Sequence, residues 1–178
     1  GADANSIGEV DVALRAGFRP DQIVFTGVGK SPDELARAVA LDLAAINAES
    51  AGELDRIDAL GRAHGRRVRV ALRVNPDVDA GTHPYISTGL KGNKFGIAHD
   101  QALAAYRHAA RLPGLEVVGI DCHIGSQITE VGPYVDALER LLDLVEALES
   151  QGIAIHHLDL GGGLGITYTD EQPPEAET

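Results

Sequence analysis

An alternation between two periods constrains this chain more than any single motif. Short apolar runs rich in β-branched residues alternate with helical runs along nearly the whole sequence. Ile23-Val24-Phe25 leads into Thr26-Gly27, and Ser31-Pro32-Asp33-Glu34 then opens a helix. Ser31 suits the N-cap and Pro32 the first helical position, and Glu34 falls three residues on, as a capping box requires. Ala45 to Ala48 reads as an apolar strand. Ser50 and Glu53 start the next helix, whose stripe is Leu54, Ile57 and Leu60. Val68 to Val74 is a longer strand ended by Pro76, and Gln101 to Leu112 is helical by period. Val117 to Ile120 leads into Cys122-His123. Tyr134 to Glu149 predicts an amphipathic helix with Leu138, Leu141, Leu142, Val145 and Leu148 on one face, capped by Gly152. A last strand is expected over Ile153 to Leu160, and a partial first one over Ala2 to Ser6.

Strand–helix alternation calls for an α/β fold with a parallel sheet. The continuous apolar character of the strands predicts burial on both faces. An open doubly wound sheet and a (β/α)8 barrel both satisfy the pattern. A complete barrel takes about 250 residues, so this chain would supply about three quarters of one. Residues 76–97 form a long polar connection, of the kind that is functional or disordered. Residues 169–178 are acidic and proline-rich and read as a loop or disordered tail, which leaves 1–168 as the folded portion.

Hydrophobic residues make up 44% of the chain, enough for a core. Aromatics are 4% and Trp and Met are absent, so that core must be built from Ala, Val, Leu and Ile. A formal net charge of −12 excludes generic attraction to nucleic acid or an anionic membrane. No apolar run approaches the roughly 20 residues of a membrane-spanning helix. One cysteine, Cys122, permits no internal disulfide and fits a reducing cytoplasm. The chain opens Gly1-Ala2-Asp3, without Met or a basic, apolar leader, as expected of a piece of a longer protein.

In parallel α/β folds the reactive groups gather where strands end. Five strand ends carry polar or glycine signatures: Thr26-Gly27, Asn47 to Ser50, Arg73 to Pro76, His123 to Ser126 and Gly161-Gly162-Gly163. Three residues without Cβ atoms can turn sharply and aim N–H groups at an anion, so Gly161–Gly163 reads as a phosphate cradle or as a flexible turn. No Gly-Lys-Ser/Thr follows, and Ile166 takes the last glycine position of a dinucleotide fingerprint, so neither of those motifs is present. His123 can stack on a flat cofactor, shuttle a proton or ligate a metal, or it can be a satisfied half-buried histidine. Ser126 can donate to a phosphate. No Cys/His spacing supports a metal: His156 and His157 are adjacent and face opposite ways on a strand. Arg73 inside a strand needs an anionic partner, either a ligand or an internal carboxylate such as Glu9 or Glu49. Asp3, Glu9 and Glu49 read as strand-end ligands or helix caps. Lys30, Lys91 and Lys94 lie in connections and read as solvated or structural, and Cys122 as buried and inert.

Six blocks in order carry a resemblance. They are Val24 to Lys30, Arg73-Val74-Asn75-Pro76-Asp77, Thr82-His83-Pro84-Tyr85-Ile86-Ser87-Thr88-Gly89, Asn93-Lys94-Phe95-Gly96-Ile97, His123-Ile124-Gly125-Ser126-Gln127, and Leu158 to Gly165. Together they resemble the diaminopimelate decarboxylases from Asp3 to about Tyr168. The third block sets the chain apart from ornithine and arginine decarboxylases, which share the His-Ile-Gly-Ser and triple-glycine blocks. The resemblance implies an alanine-racemase-like barrel, of which this chain would hold strands two to seven. It also implies pyridoxal 5′-phosphate as cofactor, meso-2,6-diaminopimelate as substrate, L-lysine and CO2 as products, and a homodimer. By motif, His123 would stack on the cofactor ring, and Ser126 with Gly161, Gly162 and Gly163 would hold its phosphate. Arg73 would contact the ring-oxygen region, oriented by Glu9, with Asp3 also at the cofactor. Lys94 would hold a loop or dimer contact, and His83 to Gly89 would lie at the site's mouth. The family's Schiff-base lysine, its general-acid cysteine, the last barrel strand and the β-domain have no counterpart in these residues, so catalytic groups are expected outside this chain and the chain alone is expected to be inactive. Two other expectations stand beside this one: a truncated, non-catalytic cofactor- or phosphate-binding barrel, and a same-fold decarboxylase acting on ornithine, arginine or carboxynorspermidine.

Overall fold

The computed structural model describes residues 1–78 and 95–174. Thr82 to Gly89, Lys91 and Lys94 therefore lie outside the described residues. Strand and helix alternate along the chain: β1 Ala2–Ala4, α1 Ile7–Arg15, β2 Ile23–Phe25, α2 Pro32–Leu41, β3 Ala45–Ala48 and α3 Ala51–Ala63. They continue with β4 Val68–Asn75, β5 Ile97–Ala98, α4 His99–Ala109, β6 Leu115–His123, α5 Gly132–Glu149 and β7 His157–Gly161.

The helix starts follow the expected chemistry. Ser31 Oγ accepts from Glu34 N–H while the Glu34 carboxylate accepts from Ser31 N–H at 2.9 Å. Ser50 Oγ accepts from Glu53 N–H, and Ser6 Oγ accepts from Glu9 N–H. Each contact satisfies an N–H that has no partner within its helix.

All strand pairs are parallel, and the hydrogen-bonded order is β1-β2-β3-β4-β6-β7, with the short β5 beside the end of β4. The order never reverses. A doubly wound sheet has a switch point where it does, so the topology is that of a barrel wall. Asn47 on β3 donates to Asp159 on β7 at 3.2 Å, although β4 and β6 lie between them in the sheet. Only a sheet curled on itself brings those strands within reach. The fold is thus a curled parallel α/β sheet, part of a (β/α)8 barrel.

Period-two alternation sorts the side chains. Ala4, Ile23, Phe25, Ile46, Ala48, Val70, Leu72, Val74, Ile120 and Cys122 form the convex face and pack with the helices in one core. Their alternates, Asp3, Thr26, Asn47, Arg73, Asp121 and Asp159, lie on the concave face. The expected burial on both faces holds along β3 and β4, and the inner face turns polar near the strand ends. The convex face of β7 departs from that expectation, with Leu158 and Leu160 37% and 41% exposed.

Other boundaries shift for local reasons. β7 begins at His157 rather than Ile153 because Ile153 N–H still closes α5, donating to Leu148 O at 3.1 Å behind Gly152. On α5 the buried residues are Ala137, Leu141, Leu144 and Leu148, whereas Leu142 is exposed. A register shift in β6 skips Val118 opposite Val70 and Ala71. The carbonyls there stay satisfied: Val118 O accepts from His156 N–H at 3.0 Å, and Gly119 O from the buried Tyr106 hydroxyl at 2.8 Å.

Candidate functional site

The C-terminal ends of the strands gather at one rim, as parallel winding requires. At β6 and β7 the pairing runs past the strands. His123 faces Gly161 in register, Ile124 N–H donates to Gly161 O at 3.1 Å, and Gly163 N–H to Gly125 O at 2.8 Å. Ile128 N–H then donates to Gly163 O at 2.8 Å, and Gln127 takes a left-handed φ of 57° to keep the two loops zipped.

The three glycines are required by proximity, since none of them has a positive φ. A Cβ on Gly161 would lie 2.9 Å from His123 Nδ1 and 2.8 Å from Cys122 O. One on Gly162 would lie 2.7 Å from Tyr134 Cε1, and one on Gly163 would lie 3.0 Å from Ser126 Cα. The triplet thus presents bare backbone beside the His123 ring and the exposed Ser126. Gly163 N–H is engaged by Gly125 O. Gly162 N–H and the Ser126 hydroxyl have no hydrogen-bond partner among the described residues. Tyr134, at the start of α5, walls the cradle, and its place in an amphipathic helix gave no sign of that in the sequence.

His123 is half-buried, and burial followed by the Arg73 charge pushes its imidazole below the usual histidine range. A neutral ring results at pH 7, suited to lie against another aromatic plane. Arg73 is buried, with its guanidinium 2.6 Å from Glu49 Oε1 and 4.0 Å from Asp121 Oδ2. It also lies 5.6 Å from the Phe95 ring centroid. Glu49 is therefore the carboxylate that holds Arg73. Glu9 is not: it sits in the first turn of α1, where its carboxylate accepts from Asn5 N–H at 2.5 Å. The proposed role of Glu9 in orienting Arg73 is corrected accordingly.

Further in, Thr26 Oγ1 donates to Asp3 and accepts from Asn47 Nδ2 at 3.1 Å. Desolvation, opposed by the Thr26 contact, raises the Asp3 carboxyl above its ordinary range. Asp121 stands beside Asp159 in register. Burial first, then the charge of Asp159, push its carboxyl up to about 8. Asn47 Oδ1 and Asp121 Oδ2 are buried acceptors without a hydrogen-bond partner among the described residues. Cys122, on the convex side, is buried and its thiol is pushed up to about 12, mainly by desolvation. Lys30, read from the sequence as solvated or structural, is buried in an ion pair with Glu53 at 3.2 Å.

A bare-backbone cradle, a free hydroxyl, a neutral imidazole and a clamped arginine on one rim suit a phosphorylated aromatic cofactor. The chain belongs to the pyridoxal-dependent decarboxylases: the model of their pyridoxal binding domain matches residues 1–178. Within that class it is similar to diaminopimelate decarboxylases. The one from Pseudomonas aeruginosa is 57% identical over 176 residues, 99% of this chain and 42% of that protein. The one from Vibrio cholerae is 52% identical over 175 residues, 98% of this chain and 42% of that protein. A solved structure of Helicobacter pylori diaminopimelate decarboxylase complexed with L-lysine superimposes with a TM-score of 0.94 at 42% identity, covering 98% of this chain and 44% of that one. This chain thus spans about two fifths of the length of the curated relatives it matches.

Proposed function

We propose that this chain is the cofactor-binding part of a diaminopimelate decarboxylase, which converts meso-2,6-diaminopimelate to L-lysine and CO2. The observation that carries the reading is the joint presence of the rim geometry and the 57% identity to a curated member over 99% of the chain. Residues 1–168 form the barrel portion in this reading. The protein acts as a cytoplasmic homodimer on a free amino acid, and no described helix is long and apolar enough to cross a membrane.

The residues divide the work by chemistry. Gly161, Gly162 and Gly163 let the phosphate approach bare backbone, with Ser126 donating its hydroxyl. His123, neutral and half-buried, stacks on the pyridine ring. Arg73, pinned by Glu49 at 2.6 Å, faces the ring-oxygen side with its guanidinium already oriented. Asp3, held by Thr26, places a carboxyl at the open edge of the curl. Bound pyridoxal 5′-phosphate supplies an electron sink for the pair left behind when CO2 departs. The protein's part is to bind, orient and keep water off that ring.

The test is a substrate panel on the protein as its gene encodes it, loaded with pyridoxal 5′-phosphate. CO2 release from meso-2,6-diaminopimelate well above that from ornithine, arginine and carboxynorspermidine is expected. Preference for any of the other three refutes the substrate assignment, and no release from any refutes the enzymatic reading. Residues 1–178 alone are expected to release none.

A further inference from the structure

We infer that the buried Lys30–Glu53 pair is a positioning device that sets Arg73 through Glu49, an inference that rests on the proposed cofactor reading. Lys30 sits in the turn between β2 and α2, and its side chain is only 1% exposed. Its ammonium donates to Gly27 O and Asn47 O, both at 2.7 Å, and to Glu53 Oε1 at 3.2 Å. The Phe25 ring lies 5.5 Å below it. All three donors of the ammonium are thereby used.

Glu53 uses both of its oxygens. Oε1 takes Lys30, and Oε2 accepts from Glu49 N–H at 2.7 Å. The pair thus grips the end of β3 from both sides: Lys30 by the Asn47 carbonyl, Glu53 by the Glu49 amide. The residue so fixed is the one that matters at the rim. Glu49 Oε1 holds Arg73 at 2.6 Å, and Glu49 Oε2 accepts from Gly96 N–H at 2.9 Å. Charge-assisted bonds of this kind tolerate little displacement. If the 47–49 turn relaxes, the Glu49 carboxylate moves and the guanidinium moves with it.

A buried ion pair is weak grounds for stability, because an apolar pair of similar volume is often as stable. That fact separates positioning from folding. Lys30→Met/Glu53→Leu replaces the pair by apolar side chains while removing both grips on β3. The full-length protein, freed of cofactor, is titrated with pyridoxal 5′-phosphate and followed by cofactor absorbance. Loss of the two charge-assisted contacts is expected to weaken cofactor affinity about tenfold. In an Arg73→Gln background the same double change is expected to weaken it less than about twofold, because its route passes through Arg73. A folded double variant that binds as tightly as wild type overturns the inference. So does an equal loss in both backgrounds, which marks a general structural effect. If the double variant does not fold, Glu53→Asp keeps the charge balance but is one methylene too short to span Lys30 and Glu49. It is expected to weaken binding about threefold, and unchanged affinity overturns the inference. Wild-type protein that binds no pyridoxal 5′-phosphate overturns the functional reading itself, whereas tight wild-type binding with insensitive variants overturns the positioning role alone.

Discussion

Replacing Asp121 by asparagine reports on the charge balance of the concave face. One guanidinium, Arg73, serves a space that also holds Glu49, Asp121, Asp159 and Asp3. Arg73 is already paired with Glu49 at 2.6 Å, and Asp121 Oδ2 is 4.0 Å from it and buried without a hydrogen bond. Burial therefore outweighs attraction, and the Asp121 carboxyl is raised from 3.8 to about 8. The sign follows from proton binding. Between about pH 4 and pH 8 the folded state keeps a proton on Asp121 that the unfolded chain has released. Stability from this group is then fullest below about pH 4 and falls as pH rises through that window. Each unit costs about 1.4 kcal/mol, so from pH 5 to pH 7 the loss is about 3 kcal/mol. Asp121→Asn removes the titration and leaves every other group in place. The assay is urea unfolding of the cofactor-free full-length protein and its variant at both pH values. Wild type is expected to lose about 3 kcal/mol more than the variant over that interval. Parallel profiles, within about 0.5 kcal/mol, refute the reasoning that burial dominates at Asp121.

Three further outcomes follow from the same structure. Gly162→Ala puts a Cβ 2.7 Å from Tyr134 Cε1, and the forced shift is expected to weaken pyridoxal 5′-phosphate binding about tenfold in an absorbance titration. Cys122, with its thiol pushed up to about 12, is expected to resist iodoacetamide in the native protein at neutral pH and to label fully once unfolded. Ser50→Ala removes the oxygen that accepts from Glu53 N–H, and calorimetry is expected to register a loss of about 1 kcal/mol.

What the sequence made legible was local or periodic. Ser31 and Ser50 announced their helices through a residue and its partner three positions on, and both caps form as spaced. The strand ends of β3, β4, β6 and β7 stood out because polar and glycine residues interrupt apolar runs there. Alternation alone left barrel and doubly wound sheet open; the resemblance implied the barrel, and the strand order bears it out. The Asn47–Asp159 contact spans 112 positions, so no local pattern signals it. Partner choice for Arg73 was equally hidden, since in the sequence Glu9 and Glu49 both read as strand-end ligands or helix caps and only the fold decides between them. Lys30 reads like any loop lysine until the turn folds its ammonium onto two carbonyls. On α5, Leu142 and Leu144 lie about 160° apart around the helix, and the way the helix is turned onto the sheet puts Leu144 in the core and Leu142 outside it.

The central claim is that the rim formed by β4, β6 and β7 holds pyridoxal 5′-phosphate. Its most direct test is a crystal structure of the full-length protein with the cofactor bound. The phosphate is expected within hydrogen-bond distance of Ser126 and the Gly161–Gly163 backbone, the pyridine ring against His123, and the Arg73–Glu49 pair intact. A phosphate bound anywhere else, or a ring that does not touch His123, would contradict it.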